Sequence, residues 1–462
     1  SAAFAFIINK RRYLMKSFRT IPTTVLAMAV ATFTFTMFLS QQCSAATTEE
    51  QMANWPVPMY QGEELEKVRE WEKTWAGKRI NQDNIDQVKD FLSEQFYGMY
   101  SKPEDWGAEE LWFEILPYQQ ILPTPGQIAM TKKYAPSAKL DPNPRKAYWD
   151  GEVGPNEFLM GWETGDQAGF PFPFPESGTE MAWNLESVTR GDEKSFNRNG
   201  VVVNPRTRTE RSASQPFIVQ FFTGRCDYEP VPKFEDNPKG IRRAMYLFIE
   251  EPLDVRGTRY MELRYLDIEK PDDVWIWFPL FRRIRRMGYS YKSDTIDGSD
   301  LGPDDELGWN GHVNRKTWKI IGRKEMLLGR HTDTDKYEKV KGQAVWSGLQ
   351  LERVNAYMLE SRFKGKDEVY SKEMLYMDPE MWRCLQKVTW DRQGRVWRHF
   401  FYHTEIFRDE KKGIDHAHTF EIYSSDLQRR HGCPSLDKVK QIGLDLDHRK
   451  YWTIQNLQKL GY

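Results

Sequence analysis

Apolar residues recur at helical spacing in NIDQVKDFLSEQFYGMY (84–100), where Ile85, Val88, Leu92, Phe96 and Met99 fall on one face. The pattern predicts helix within 62–100, with Asp83 or Asn84 as a cap. Residues 101–160 are rich in Pro, Gly and Tyr and weakly periodic, so they read as irregular, and PFPFP (171–175) reads as an extended link. Beyond about residue 180 the period changes to two. FIVQFFTG (217–224), RAMYLFIEE (243–251), RYMELRYLD (259–267), VWIWFPL (274–280) and TWKIIGRKEML (317–327) are short aromatic or β-branched runs, several alternating polar with apolar as half-buried antiparallel strands do. VWSGLQLERVNAYML (345–359), VTWDRQGRVWRHFFYHTEIF (388–407) and HTFEIYSSD (418–426) continue the series. DRQG (391–394) predicts a hairpin turn with Gly394 at positive φ. RDEKKG (408–413) predicts another, which would set His403 opposite His418. Helix returns at the end, with Ser435 capping LDKVKQIG (436–443) and YWTIQNLQKL (451–460) after it, and Asp378-Pro379 reads as cap and first turn for EMWRCL (380–385).

The predicted class is α+β: one large curved antiparallel sheet with N-terminal and C-terminal helices packed on it. The expected divisions are a leader over 1–46, a helical and irregular segment over 47–160, the sheet over 161–426 and a helical tail over 427–462.

The leader is read from Lys10, Arg11, Arg12, Lys16 and Arg19, the uncharged apolar run Ile21 to Leu39, and the small residues Ser44, Ala45 and Ala46. Met15 reads as the start, with an upstream extension before it. Gln41 and Gln42 before Cys43 do not fit a lipid-attachment site. An uncleaved anchor is the rival reading, because the run approaches the ~20 residues that span a bilayer. Cleavage predicts an exported, periplasmic protein, peripheral at the outer membrane in one version of that reading. It would leave Cys226, Cys384 and Cys433, as one disulfide plus a thiol or as three buried thiols.

Composition adds aromatic load: 14% of the chain is Phe, Trp or Tyr, which favours strands and large contact surfaces. Removing the five leader bases takes the formal net charge from −1 to about −6, which argues against nucleic acid. Arg282, Arg283, Arg285, Arg286 and Lys292 are followed by Asp294, Asp297, Asp300, Asp304, Asp305 and Glu306, so the segment nearly neutralises itself. Internal ion pairing or contact with an anionic head group both fit; a nucleic-acid groove does not. The acidic run lacks calcium-loop spacing and reads as a solvated loop, with Asp297, Asp300, Asp304 and Asp305 as an irregular calcium set in the rival reading. His399, His403, His416 and His418 lie at strand spacing, but no acid or cysteine is placed beside them, so no metal site is assigned. The common catalytic signatures do not occur, and no catalytic residue or cofactor is assigned.

PFPFPESGTEMAWN (171–184) resembles the PFP-x-P…G-x-E-x-x-WN signature of the DUF1329 family. DVWIWFPLFRRIRR (273–286), the G-S-D turn after it, and LERVNAYMLESRF…DRQGRVWRHF (351–400) are similar to the same family's core and late region, so the resemblance spans roughly 110–410. A similar core occurs in outer-membrane lipoprotein-sorting proteins of the LolA/LolB-like superfamily. The resemblance implies an open half-barrel with helices plugging its concave side around a hydrophobic cavity. It also implies non-enzymatic periplasmic handling of a lipid, lipoprotein acyl chain or other hydrophobe, often beside an RND-type exporter. Trp275, Trp277 and Phe281 are the expected lining residues, with Ile276 and Phe278 on the other strand face, or the reverse. Trp183 and Tyr265 are further lining candidates, and Arg283, Arg285 and Arg286 would hold an anionic head group at the rim or pair with the acidic loop. A structural envelope protein docking on a membrane partner, or an enzyme acting on lipid or envelope polymer, are the other classes.

Overall fold

Fifteen strands join in one sheet, and their order explains where a cavity can form. In the computed structural model the described residues are 47–460, apart from short stretches at 142–144, 147–152, 155–157, 188–190, 208, 289–294, 297, 339 and 364–367. The expected leader, Cys43, Lys292, Asp294 and Asp297 lie outside the described residues. In chain order the strands are β1 (Arg79–Ile80), β2 (Phe113–Leu116), β3 (Glu193–Asn204), β4 (Thr209–Phe221), β5 (Ile241–Phe248), β6 (Arg259–Tyr265), β7 (Asp273–Phe278) and β8 (Arg283–Met287). They continue as β9 (Lys316–Leu328), β10 (Leu349–Phe363), β11 (Lys372–Met377), β12 (Cys384–Trp390), β13 (Val396–Asp409), β14 (Ile414–Asp426) and β15 (His431–Ile442). Their order across the sheet is β1-β2-β10-β11-β12-β13-β14-β15-β3-β4-β5-β6-β7-β8, with β9 on the other edge of β10. The path does not close into a barrel. It has the predicted α+β character with one addition: β2 runs parallel to β10 through Leu349–Glu352.

Hairpins build most of the sheet. The turn at Asp391–Arg395 joins β12 to β13, and Gly394 takes φ +77 as a hairpin turn requires. The turn between Asp409 and Ile414 joins β13 to β14. That turn closes on Asp409 and Ile414, so His403 lies opposite Phe420 and His418 opposite Glu405, two residues from the expected register.

The helices include α1 (Gly62–Trp75), α2 (Glu94–Tyr100), α3 (Pro125–Tyr134), α4 (Gly178–Ser187) and α5 (Ile454–Lys459), with further short ones at Glu49–Asn54 and His448–Tyr451. The predicted helix over 84–100 divides. Ile85–Phe91 is a 3-10 turn without a side-chain cap, and Ser93 then starts α2 by accepting the Phe96 N–H at 3.1 Å. The periodic residues are nevertheless buried as their spacing predicts. In α2, Phe96 stacks on Tyr100 and meets Phe113 and Phe401, tying the N-terminal segment to the sheet. Helix α4 lies close enough to β9 that a Cβ at Gly178 would come within 2.5 Å of the Lys319 backbone nitrogen.

Two expected helices are not helices. Residues 431–442 form β15, because pairing with β3 sets Asp437 beside Arg198 and outweighs local helix propensity. At 378–385, Asp378 caps a tight turn through the Glu380 and Met381 N–H groups, and β12 begins at Cys384. The helical tail therefore starts beyond residue 442, and the sheet extends past the expected boundary at 426.

Candidate functional site

One cavity of about 300 Å³ opens on the β3–β8 half of the sheet. Eight adjacent strands, β14-β15-β3-β4-β5-β6-β7-β8, contribute to its wall. Laid flat at ~4.8 Å spacing they would span roughly 34 Å, so they can all reach one small space only by curling around it.

Register builds the floor. Phe217 pairs with Leu247, Leu247 with Tyr260, and Tyr260 with Ile276, giving a continuous rung across β4 to β7. A second rung runs Met245, Glu262, Val274 and Met287 across β5 to β8. On β3 and β4, Gly200 lies opposite Ala213 and both line the cavity, while β15 packs so closely on Gly200 that an added Cβ would lie 2.9 Å from the Pro434 carbonyl oxygen. Ile296, Leu301 and Pro303, from the loop after β8, close the space from above, and Cys433 and Ser435 of β15 end it on one side.

The lid loop is fastened by buried charge. Arg198 binds Asp437 at 2.8 and 2.9 Å and the loop's Glu306 at 3.3 Å, all three side chains being at most 14% exposed. Asp304 pairs with Arg315, while Asp305 takes Lys387 at 2.6 Å and the Tyr370 hydroxyl at 2.8 Å. Burial would raise the Asp305 carboxyl, but Lys387 and Arg398 outweigh it and hold it below the ordinary value. Beneath them Lys316 pairs with Glu373, and burial pushes the Lys316 ammonium down to about 8. The acidic run is thus a buried anchor, not a solvated loop. Its described acids pair with His431 on β15, Arg315 just before β9, Lys387 on β12 and Arg198 on β3, not with the arginines that precede them in sequence. They also diverge toward separate cations, so Asp300, Asp304 and Asp305 do not form a calcium cage.

None of the eight residues expected to bind ligand lines this cavity. Trp275 and Trp277 project from the opposite face of β7, where Trp277 packs with Tyr246, Trp452 and Leu457 beneath α5. Ile276, on the alternative face, is the lining residue, together with Val274. Period two separates the faces of a strand but does not say which is covered by a helix, and here α5 takes the aromatic face. Tyr265 donates to Asp273 at 2.7 Å on that same aromatic side, and Arg286 pairs with Asp273 as well. Trp183 is buried in α4 against Trp162 and Phe158. Phe281 stands on the β7–β8 turn and is 64% exposed. Arg283 and Arg285 are exposed, and register puts them opposite Phe278 and Ile276, on the cavity's side of the edge strand.

The four histidines are buried, and His416 and His418 neighbour one another with ring centroids 6.2 Å apart. Burial pushes His399 and His403 down to about 3, and it lowers His416 as well. His399 lies beside Gln386, His403 beside Tyr337, and His418 beside Lys194. Cys226, Cys384 and Cys433 are buried thiols without a disulfide. What the sequence reading missed is a fifth histidine: His431 meets Asp300 at 2.7 Å, with Cys433 adjacent. The signal is H-x-C at strand spacing, hidden because 427–462 reads as a helical tail.

No helix among the described residues is long and apolar enough to cross a membrane. A family model described as "Protein of unknown function (DUF1329)" matches residues 79–458. An uncharacterized protein of Pseudomonas aeruginosa is 23% identical over 319 residues, covering 62% of this chain and 67% of that protein. Among solved structures, a putative outer membrane lipoprotein-sorting protein domain from Vibrio parahaemolyticus aligns at 14% identity and TM-score 0.43, over 61% of this chain and 98% of that one. A DUF1329 family protein from Desulfovibrio piger aligns at 18% identity and TM-score 0.43, over 61% and 97%.

Proposed function

From a chain that belongs to the DUF1329 family and curls its sheet around an apolar cavity, we propose a non-enzymatic periplasmic carrier or chaperone that holds a lipid, a lipoprotein acyl chain or another hydrophobe. The single observation that carries the reading is the cavity floor of Phe217, Leu247, Tyr260 and Ile276, roofed by a loop fixed in place by buried ion pairs. The charged groups that line the cavity are each paired: Arg198 with Asp437 and Glu306, Glu262 with Arg243, and the exposed Arg211 with Asp254 at the rim. That supports burial of a ligand over chemistry on it. A structural envelope protein would be expected to fill its core, so the cavity favours the carrier. The relation to lipoprotein-sorting proteins is in keeping with this role, and an RND-type exporter is the transport partner we propose.

Arg283 and Arg285, on the cavity side of the edge strand, suit an anionic head group whose tail lies along Ile276. The neighbouring turn suits a membrane surface. Leu280 and Phe281 are 85% and 64% exposed beside Arg282 and Arg283, and Leu253 on the adjacent turn is 74% exposed. Both turns sit at one end of the sheet, because Arg259 pairs with Phe248 on one side and Trp277 on the other. Apolar tips among arginines are what insertion into an anionic lipid interface requires.

The test is to purify the protein natively from the cell envelope, extract it for mass spectrometry, and titrate it with a fluorescent fatty acid. A co-purified amphiphile and saturable probe binding are expected. Absence of both would sink the carrier reading.

A further inference from the structure

We propose that Asp300, His431 and Cys433 form a binding site for a zinc-class divalent transition metal, which staples the lid loop to β15. The candidate ligand atoms lie within 4.8 Å of one another. Asp300 Oδ2 is 2.7 Å from His431 Nδ1 and 3.8 Å from Cys433 Sγ. Asp300 and Cys433 are buried, and His431 is partly buried. A tetrahedral zinc with ordinary bond lengths separates its oxygen and sulfur ligands by ~3.5 Å and its oxygen and nitrogen ligands by ~3.3 Å. The carboxylate–thiol separation is already close to that figure. The carboxylate–imidazole contact would have to open by only about 0.6 Å.

The backbone prepares the site. His431 and Cys433 are two apart on β15 and share a strand face. Gly432 between them faces the other way, where an added Cβ would lie 2.1 Å from the Ala344 carbonyl oxygen. Only glycine fits there, so the strand is pressed against Ala344 with its two donors turned together. Asp300 arrives from the opposite side on the loop, whose turn is closed by Ile296 N–H to Leu301 O at 2.9 Å and Ser299 N–H to Ile296 O at 2.8 Å. One oxygen, one nitrogen and one sulfur donor suit a borderline-soft divalent ion and poorly suit calcium or magnesium, which take oxygen sets. Three protein ligands leave a fourth position for water, and Cys433 lines the cavity wall.

Without a metal, the same side chains form an ion pair beside a thiol that accepts the Asp300 N–H at 3.3 Å. The experiment separates the two arrangements. The full chain, stripped with chelator and kept reduced, is titrated with Co²⁺. A near-ultraviolet thiolate-to-cobalt charge-transfer band is expected, saturating at one ion per chain and bleached by Zn²⁺. Cys433→Ser should abolish the band, His431→Ala should weaken cobalt binding by at least roughly tenfold, and Cys226→Ser and Cys384→Ser should keep it. Lack of the band in the wild-type chain at saturating cobalt, or its survival in folded Cys433→Ser, overturns the proposal. If Cys433→Ser does not fold, Asp300→Asn takes its place, and unchanged cobalt affinity in that variant overturns the proposal equally.

Discussion

Replacing Ala213 by Leu should shorten the alkyl chain that the cavity accepts. Ala213 is half-buried and lines the cavity, so three added carbons project into the cavity space. At ~30 Å³ per water-sized group, a space of about 300 Å³ holds about ten such groups. Each methylene buried is worth about 0.8 kcal/mol, or about fourfold in affinity. Affinity along a series of alkyl carboxylates should therefore climb about fourfold per carbon and level off near ten buried carbons. Three carbons supplied by the protein displace about three of the ligand's, a loss of about 2.4 kcal/mol, or about sixtyfold, for long chains. Short chains should bind as before. Competition against a fluorescent fatty acid, read for chain lengths from hexyl to hexadecyl, gives both plateaus. A plateau at the same length in Ala213→Leu, with its melting temperature unchanged, would refute the assignment of this cavity as the binding site.

Other outcomes follow from the buried charges and the exposed turn. Asp305→Asn leaves Lys387 with only the more distant Glu373 carboxylate and should cost about 3–5 kcal/mol by urea denaturation, weakening probe binding as the lid loosens. His399 and His403 are held neutral to about pH 3 when folded but take protons near pH 6.5 when unfolded. Their contribution is therefore intact above pH 6.5 and is lost as pH falls toward 3, amounting to about 2 kcal/mol per imidazole at pH 5. Thermal melts of His403→Gln should show a flatter acid limb than wild type. Leu280→Ser with Phe281→Ser should leave stability within about 0.5 kcal/mol but reduce sedimentation with phosphatidylglycerol vesicles; undiminished sedimentation would remove the turn from the membrane contact.

Much of the fold was legible because burial follows simple periods. The alternating runs from 217 onward became strands, and Ile85, Val88, Leu92, Phe96 and Met99 became core although their helix broke in two. Strand β3 was harder to see. Its cavity-side positions include Arg198 and Gly200, which carry no apolar signal, and its pairing with a strand more than 200 residues away leaves no local mark. The same distance hid β15, whose LDKVKQIG reads as helix until Asp437 meets Arg198. Helix α3 carried a readable start, since Thr124 and Gln127 form a capping box with Pro125 at the first position. Gly126 is explained only by the Cys226 carbonyl, 2.1 Å from where a Cβ would stand. The cavity was the least legible part. Alternation separated Trp275 and Trp277 from Ile276, but which set faced inward depended on where a helix almost two hundred residues later would dock.

The seam between β15 and β3 has a consequence for when the protein becomes competent. Strands β3 to β8 come from one continuous stretch of chain, and β9 to β15 from a later one. The sheet is joined through residues 432–442 meeting 194–203. The cavity wall includes residues from both sides of that junction. A chain emerging from the ribosome can form its hairpins early, yet it has no enclosed cavity until the last of these residues has been delivered. A half-made molecule cannot enclose cargo, and until β15 arrives the edge of β3 and the apolar rungs beside it stay uncovered.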